Sequence, residues 1–158
     1  MELPRGITGF DVIDRPGMPD EETFRRDCRE IVPRMGGRVL DRSETEPTPI
    51  TNFLEVVVEW PGWRVAILRN AVYPWVGFRE PLGPGEILSR FIDPLPLIRG
   101  FEAVGRYRVL PVVELDRPAS EAMCGQFRRS ELSQFRYWRK TYGGDRLRVG
   151  DVVFNHWD

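Results

Sequence analysis

The chain of 158 residues predicts a single α+β domain over residues 1–158, with a mainly antiparallel sheet and helices packed on one face of it. Three observations predict this class. The chain opens with a strand-like and then a helical pattern, its middle holds strands joined by a tight turn, and its last third has helical spacing. Such an order is typical of a hairpin-built sheet with helices gathered to one side. The length is also that of one ordinary domain.

The composition excludes several classes of protein. Hydrophobic residues make up 41% of the chain and charged residues 30%, which is typical of a folded domain rather than a disordered one. No apolar run approaches the roughly 20 residues that cross a bilayer. The amino terminus lacks the apolar segment of a signal peptide, so a cytoplasmic location is expected. Of 23 basic residues only Lys140 is a lysine, a bias typical of GC-rich bacterial genomes.

The first third of the chain predicts a strand followed by a helix. Residues 6–13 alternate as a short strand does, and residues 14–17 are typical of a turn. A helix is predicted to begin at Pro19 and to end or kink at Pro33. Three acidic residues complement the positive end of its dipole: Asp20, Glu21 and Glu22. Its apolar face would comprise Phe24, Cys28, Ile31 or Val32, and Met35.

A hairpin in the middle of the chain is the clearest signal. Apolar and polar residues alternate over 53–60, a returning strand is predicted over 63–68, and the Pro61-Gly62 pair between them suits a tight turn. A further strand is predicted over 71–78, where Pro74 indicates an edge or a bulge. Before the hairpin, Val39 and Leu40 predict a short strand, followed by a polar loop over residues 41–49.

The second half of the chain is predicted to be largely helical. Asp93 and Pro94 are typical of a helix cap and first residue, and Gly105 is expected to end that helix. A strand is predicted over 107–113. The next predicted helix places four apolar or aromatic side chains on one face: Leu132, Phe135, Trp138 and Tyr142. The tail over 148–158 fits both strand content and helical spacing, and we favour a helix.

An acidic group and an aromatic group are the candidate partner-binding residues. The acidic group is Asp20, Glu21 and Glu22, whose charge would suit a basic target such as a nuclease toxin. The aromatic group is Trp60, Trp63, Tyr73 and Trp75, around and after the hairpin turn. If these rings are exposed, they form the kind of patch that anchors protein interfaces. Burial at an edge of the core is the alternative.

A basic and aromatic segment supplies an alternative nucleic-acid-binding surface. Residues 127–148 hold seven cationic and two anionic side chains, a local charge of +5 in a chain of net charge −1. The candidate cations are Arg128, Arg129, Arg136, Arg139 and Lys140. Interleaved cations and rings can bind a phosphate backbone and stack bases. Helical spacing favours another interpretation, in which Phe135 and Trp138 are buried and the cations form a solvated stripe.

Acid–base chemistry has few candidate residues in this chain. Glu55 and Glu59 share one face of a predicted strand, where a solvated sheet face explains both. His156 is the single histidine, which argues against His-based triads and multi-histidine metal sites. We expect it to be a docked structural residue of the tail. Cys28 and Cys124 fit no zinc or disulfide pattern, so no catalytic residue, metal or cofactor is expected.

The carboxyl-terminal quarter resembles a known group of proteins. Residues 136–139 (Arg-Tyr-Trp-Arg) and 150–158 (Gly-Asp-Val-Val-Phe-Asn-His-Trp-Asp) resemble the terminal signature of small bacterial proteins of unassigned activity, some similar to toxin-immunity proteins. The scarcity of catalytic residues predicts a non-enzymatic protein-binding domain, and the resemblance implies an immunity protein that neutralises a toxin, without assigning site residues. The alternatives are a nucleic-acid-binding protein that uses Arg128 to Arg148, or an enzyme that uses carboxylates and arginines. Oligomeric state stays open.

Overall fold

The computed structural model describes residues 1–10, 20–40, 51–84, 86 and 90–156. These ranges hold a five-stranded sheet in the order β1-β2-β3-β4-β5. The strands are β1 (Arg38–Val39), β2 (Phe53–Trp60), β3 (Trp63–Asn70), β4 (Trp75–Arg79) and β5 (Arg108–Val109). The helices are α1 (Glu21–Ile31), α2 (Leu95–Val104), α3 (Val112–Leu115), α4 (Arg129–Thr141) and α5 (Val149–Val153). The predicted α+β domain with a mainly antiparallel sheet is confirmed.

The hairpin has the predicted antiparallel strands and turn. β2 and β3 pair from Trp60 opposite Trp63 to Phe53 opposite Asn70. Gly62 has a φ of +86°, which a glycine adopts without strain. β4 pairs antiparallel with β3, whereas β5 pairs parallel with β4. A parallel pair needs a crossover, and α2 lies within it.

The helices cover both faces of the sheet, which corrects the expectation of one covered face. On one face, α1 and α2 pack over alternate strand residues such as Val56, Ile67 and Phe78. On the other face, α3, α4 and α5 pack over the intervening residues, including Val57 and Leu68. The physical reason is visible in β3, where apolar residues run continuously and so require cover on both sides.

Some predicted elements differ in the structure. Residues 6–10 form turns rather than a strand. The strand predicted over 107–113 is reduced to β5, because Pro111 precedes the first turn of α3. Asp93 does not cap α2, because its carboxylate accepts from the N–H of Val112, 2.9 Å away. Residues 11–19, 41–50 and 157–158 lie outside the described residues, and with them the turn at 14–17, Pro19, the polar loop and Trp157.

Other predicted boundaries are confirmed. α1 ends at Ile31, and Pro33 opens a separate 3-10 turn. Gly105, with a φ of +81°, ends α2. The tail is helical over α5, and His156 then forms an isolated β-bridge with Thr51. The favoured helix is therefore confirmed over Val149–Val153, where the β-branched residues of the tail lie.

Two buried asparagines hold both ends of the chain against the hairpin. Asn52 and Asn70 each donate to the carbonyl of Ile7, at 3.1 and 3.0 Å, and to a carbonyl of α5, at 3.0 and 2.7 Å. The side-chain oxygen of Asn52 accepts from the N–H of Asn155. Because all these groups are buried, their hydrogen bonds fix where the tail docks.

A buried glutamate anchors the amino-terminal turn. Glu131 in α4 is fully buried, and its Oε1 accepts from the N–H of Gly6 at 2.9 Å and the hydroxyl of Thr8 at 2.7 Å. Buried polar groups are stable only where hydrogen bonds replace those they would make with water. Glu131 therefore ties the first residues to α4.

Candidate functional site

The tip of the hairpin carries a stacked pair of tryptophans. Trp60 and Trp63 oppose each other beside the Pro61-Gly62 turn, and their ring centroids lie 4.3 Å apart with the planes inclined by 10°. Trp63 is 46% exposed, while Trp60 is half-buried. Aromatic rings in contact support each other beyond the area they bury. The pair therefore presents one broad apolar surface to solvent.

The inner tryptophan of this pair is held in place. The indole Nε1 of Trp60 donates to the carbonyl of Met35 at 3.0 Å. Its ring covers Gly37 so closely that a Cβ there would lie 2.6 Å from the ring. Glycine at position 37 is therefore required by close approach of the ring to the backbone. Trp63 stacks on a support that has little freedom to move.

Charged side chains border the tryptophans. The carboxylate of Glu59 accepts from Nε of Arg38 at 2.6 Å and from Nε of Arg64 at 3.1 Å. The hydrogen bond from Arg38, with the charge of Arg38 and the contacts of Arg64, holds the pKa of Glu59 below its usual value. Glu59 therefore stays ionised between two cations. We call these five residues, Trp60, Trp63, Glu59, Arg38 and Arg64, the tryptophan tip.

A groove of about 420 Å³ lies beside the tip, between α1 and the β1 edge of the sheet. We call it the arginine groove. Its lining residues are Arg25, Arg29, Pro33, Arg38, Val39, Leu40 and Val56. Arg25 donates to Glu21 through Nε and Nη2, at 3.0 and 2.8 Å, and Nη2 of Arg29 donates to Glu22 at 2.6 Å. Three cationic groups thus surround an apolar floor.

The acidic group lies at the start of α1, away from the tip. Asp20 caps the helix by accepting from the N–H of Thr23 at 2.7 Å, and this hydrogen bond lowers the pKa of Asp20. Glu21 and Glu22 form ion pairs with arginines of the same helix. The tip contacts Met35, which follows the carboxyl end of α1. Because α1 has 11 residues, this end lies about 16 Å from the acidic group. The acidic and aromatic groups are therefore separate.

Tyr73 and Trp75 do not join the tip. Both are 8% exposed and belong to the core beneath α3, α4 and α5. Both residues come after the end of β3 that is remote from the hairpin turn. The two ends of this eight-residue strand are about 23 Å apart. The guanidinium of Arg108 covers Trp75 at 4.7 Å. The predicted aromatic group is thus divided into an exposed pair and a buried pair.

The basic segment over residues 127–148 is arranged as its helical spacing predicted, with two rings buried and the cations of α4 on its outer side. Phe135 is fully buried and Trp138 is 3% exposed, so neither ring faces solvent. Arg136 donates to both oxygens of Glu121, at 2.8 and 3.0 Å, and Arg139 pairs with an aspartate at 3.2 Å. Arg128, Arg129 and Lys140 are exposed. Arg136 and Arg139 are therefore held in ion pairs.

The two glutamates of β2 do not form a carboxylate pair. Glu55 accepts from Nη2 of the buried Arg79 at 2.5 Å, whereas Glu59 lies four residues away, about 13 Å along the strand. Arg79 covers the ring of Phe53 at 5.3 Å and lies 3.5 Å from Nε2 of His156. His156 also packs edge-on against Phe53 at 5.2 Å. These contacts fit a docked tail.

The arginine groove was not predicted. The spacing of Arg25 and Arg29 in a helix places both on one side of α1, so that part of the signal was present in the sequence. Arg38 gave no such signal, because it reaches the groove through the pairing of β1 with β2.

No protein family, curated protein or solved structure matches this chain. Among the helices within the described ranges, none is long and apolar enough to cross a membrane.

Proposed function

We propose that this protein is a non-enzymatic protein-binding domain that docks its partner on the tryptophan tip. The observation that supports this most is the exposed ring of Trp63, stacked on a Trp60 that is itself fixed to Met35. Tryptophan and arginine carry a large share of the binding energy in protein interfaces. A ring that is already positioned loses little conformational freedom on binding.

Within this class we propose an immunity protein, which neutralises a toxin by covering it. The support is the resemblance of residues 136–139 and 150–158 to proteins of this kind. Most described residues of that signature, including Trp138, Val152 and Phe154, are buried. The signature therefore supports a shared core rather than a shared docking surface, which each toxin would shape differently.

The proposed partner presents acidic groups to this surface. The basic partner expected from the acidic group has less support, since that group lies at the start of α1, away from the tip. The tip carries two arginines against one glutamate. Complementary charge guides association and suppresses wrong partners, so a local excess of cations suits an acidic patch.

The two alternative functions have weaker support. Nucleic-acid binding by stacking would need several exposed rings among the cations of α4, where Tyr137 is exposed but Phe135 and Trp138 are buried. An enzyme of carboxylates and arginines would need these groups around one cavity. The arginine groove is lined by Arg25, Arg29 and Arg38 but by neither Glu55 nor Glu59.

The test is partner binding by tip variants. Proteins encoded next to this gene are expressed singly and titrated against the wild-type chain and against Trp63→Ala. We expect one of them to bind the wild type, and the variant to bind it about 30-fold more weakly, as loss of about 2 kcal/mol at a hot spot implies. Tyr137→Ala is the matched control, because Tyr137 is 56% exposed on α4. A partner that binds Trp63→Ala as tightly as the wild type contradicts docking at the tip.

A further inference from the structure

We propose that the arginine groove binds an acidic peptide segment of the partner, in which two carboxylate side chains flank an apolar one. This proposal rests on the proposed function in one respect, that the partner is a protein. It assigns to the groove a ligand of stated chemistry and sequence pattern. The argument comes from the spacing of its arginines, the apolar opposite wall, and its continuity with the tryptophan tip.

The spacing of the cations matches an extended peptide. Arg25 and Arg29 lie one helical turn apart in α1, a rise of about 6 Å. Alternate residues of an extended chain are about 6.6 Å apart and point to the same side. Carboxylates at alternate positions of such a peptide therefore reach both arginines at once.

The two arginines retain donors for such a ligand. A guanidinium has five N–H donors. Within the described part of the chain, the hydrogen bonds to Glu21 and Glu22 involve Nε and Nη2 of Arg25 and Nη2 of Arg29. These bonds also orient the side chains, which are 23% and 54% exposed. A ligand carboxylate thus meets guanidinium groups that are already positioned, and it adds hydrogen bonds without displacing the glutamates.

The opposite wall suits an apolar residue. Val39, Leu40 and Val56 line the groove on the sheet side. Because successive side chains of an extended peptide point in opposite directions, the residue between the two carboxylates faces this wall. The arrangement selects the order acidic, apolar, acidic. Burial of the middle side chain gives discrimination against a peptide that is acidic throughout.

The groove and the tip form one continuous surface. Arg38 lines the groove and also binds Glu59 of the tip. The 3-10 turn Pro33–Met35 connects them too, since Pro33 lines the groove and Met35 accepts the hydrogen bond of Trp60. A partner seated on Trp63 therefore has the groove within reach of an adjoining segment.

The experiment titrates labelled peptides against the full chain and measures fluorescence anisotropy. The probe peptide is Ser-Gly-Glu-Val-Glu-Gly-Ser, and its control has Gln-Val-Gln at the centre. We expect saturable binding of the probe, at least tenfold weaker binding of the control, and weakening as salt rises from low to physiological concentration. Arg25→Gln with Arg29→Gln should reduce probe binding at least tenfold. Arg26→Gln, an exposed residue of the same helix, is the matched control and should leave binding unchanged.

Three results overturn the proposal. The first is equal binding of the probe and the glutamine control, a comparison that uses only the wild-type protein. The second is unchanged probe binding by a folded Arg25→Gln, Arg29→Gln variant. The third is displacement of the probe by inorganic pyrophosphate at concentrations below those at which the probe binds, which indicates a phosphate ligand instead. Since these titrations contain no partner and leave Trp63 intact, their failure is separate from failure of docking at the tip.

Discussion

Replacement of Asn70 by alanine should destabilise the protein more than most single substitutions. Asn70 is fully buried and makes four hydrogen bonds. Its Nδ2 donates to the carbonyls of Ile7 and Val153, and its Oδ1 accepts from the N–H groups of Val72 and Tyr73, both at 2.9 Å. The side chain thus joins the amino-terminal turn, the end of β3 and α5 at one point.

The magnitude follows from the groups that lose a partner. Ile7 keeps a hydrogen bond from Asn52, and the half-buried N–H of Val72 can bind water. The carbonyl of Val153 and the buried N–H of Tyr73 lose the bonds from Asn70. An unsatisfied buried polar group costs about 1–3 kcal/mol. Two of them give a loss of about 4 kcal/mol, or about 8–16 °C in Tm for a chain of this size.

The measurement is urea unfolding of Asn70→Ala beside a matched variant, Asn155→Ala. Asn155 is equally buried, but its side chain donates one hydrogen bond, to the carbonyl of Asp151, and its Oδ1 meets no hydrogen-bond partner in the described ranges. We expect Asn155→Ala to cost about 1 kcal/mol. Equal losses for the two variants, or a loss below about 1 kcal/mol for Asn70→Ala, would refute this reasoning.

Two further predictions concern buried side chains. Glu131→Ala should cost about 2–4 kcal/mol of stability, because the N–H of Gly6 and the hydroxyl of Thr8 lose their acceptor. Glu131→Gln keeps an acceptor oxygen and should cost less. Both losses are measured by urea unfolding, and a glutamine variant no more stable than the alanine variant would contradict this role of Glu131. Burial raises the pKa of Cys124 from 9.0 to about 12 and raises that of Cys28 as well, so the folded state keeps protons that the unfolded state releases. Stability should therefore fall as pH rises above 9, less steeply in the double alanine variant, and identical urea midpoints for the wild type at pH 8 and 10.5 would count against this.

Local elements could be predicted because their signals lie in neighbouring residues. The alternation over residues 53–60 and the Pro61-Gly62 pair define the hairpin, and the spacing of Phe135 and Trp138 defines the buried face of α4. Asp93 shows the limit of this reasoning. Its position before Pro94 suggests a cap, but the start of α3, distant in the chain, takes its hydrogen bond instead.

The sequence by itself determined the α+β class, most strands and helices, and the residue types available for binding. The tertiary structure decided which of these residues meet. Trp63 and Trp75 are tryptophans that begin adjacent strands, β3 and β4. Trp63 is 46% exposed at the hairpin tip, whereas Trp75 is 8% exposed in the core. The physical reason is that periodicity records which side of a strand a residue occupies. Whether that side is covered, and by which charges, depends on elements that pack there from elsewhere in the chain.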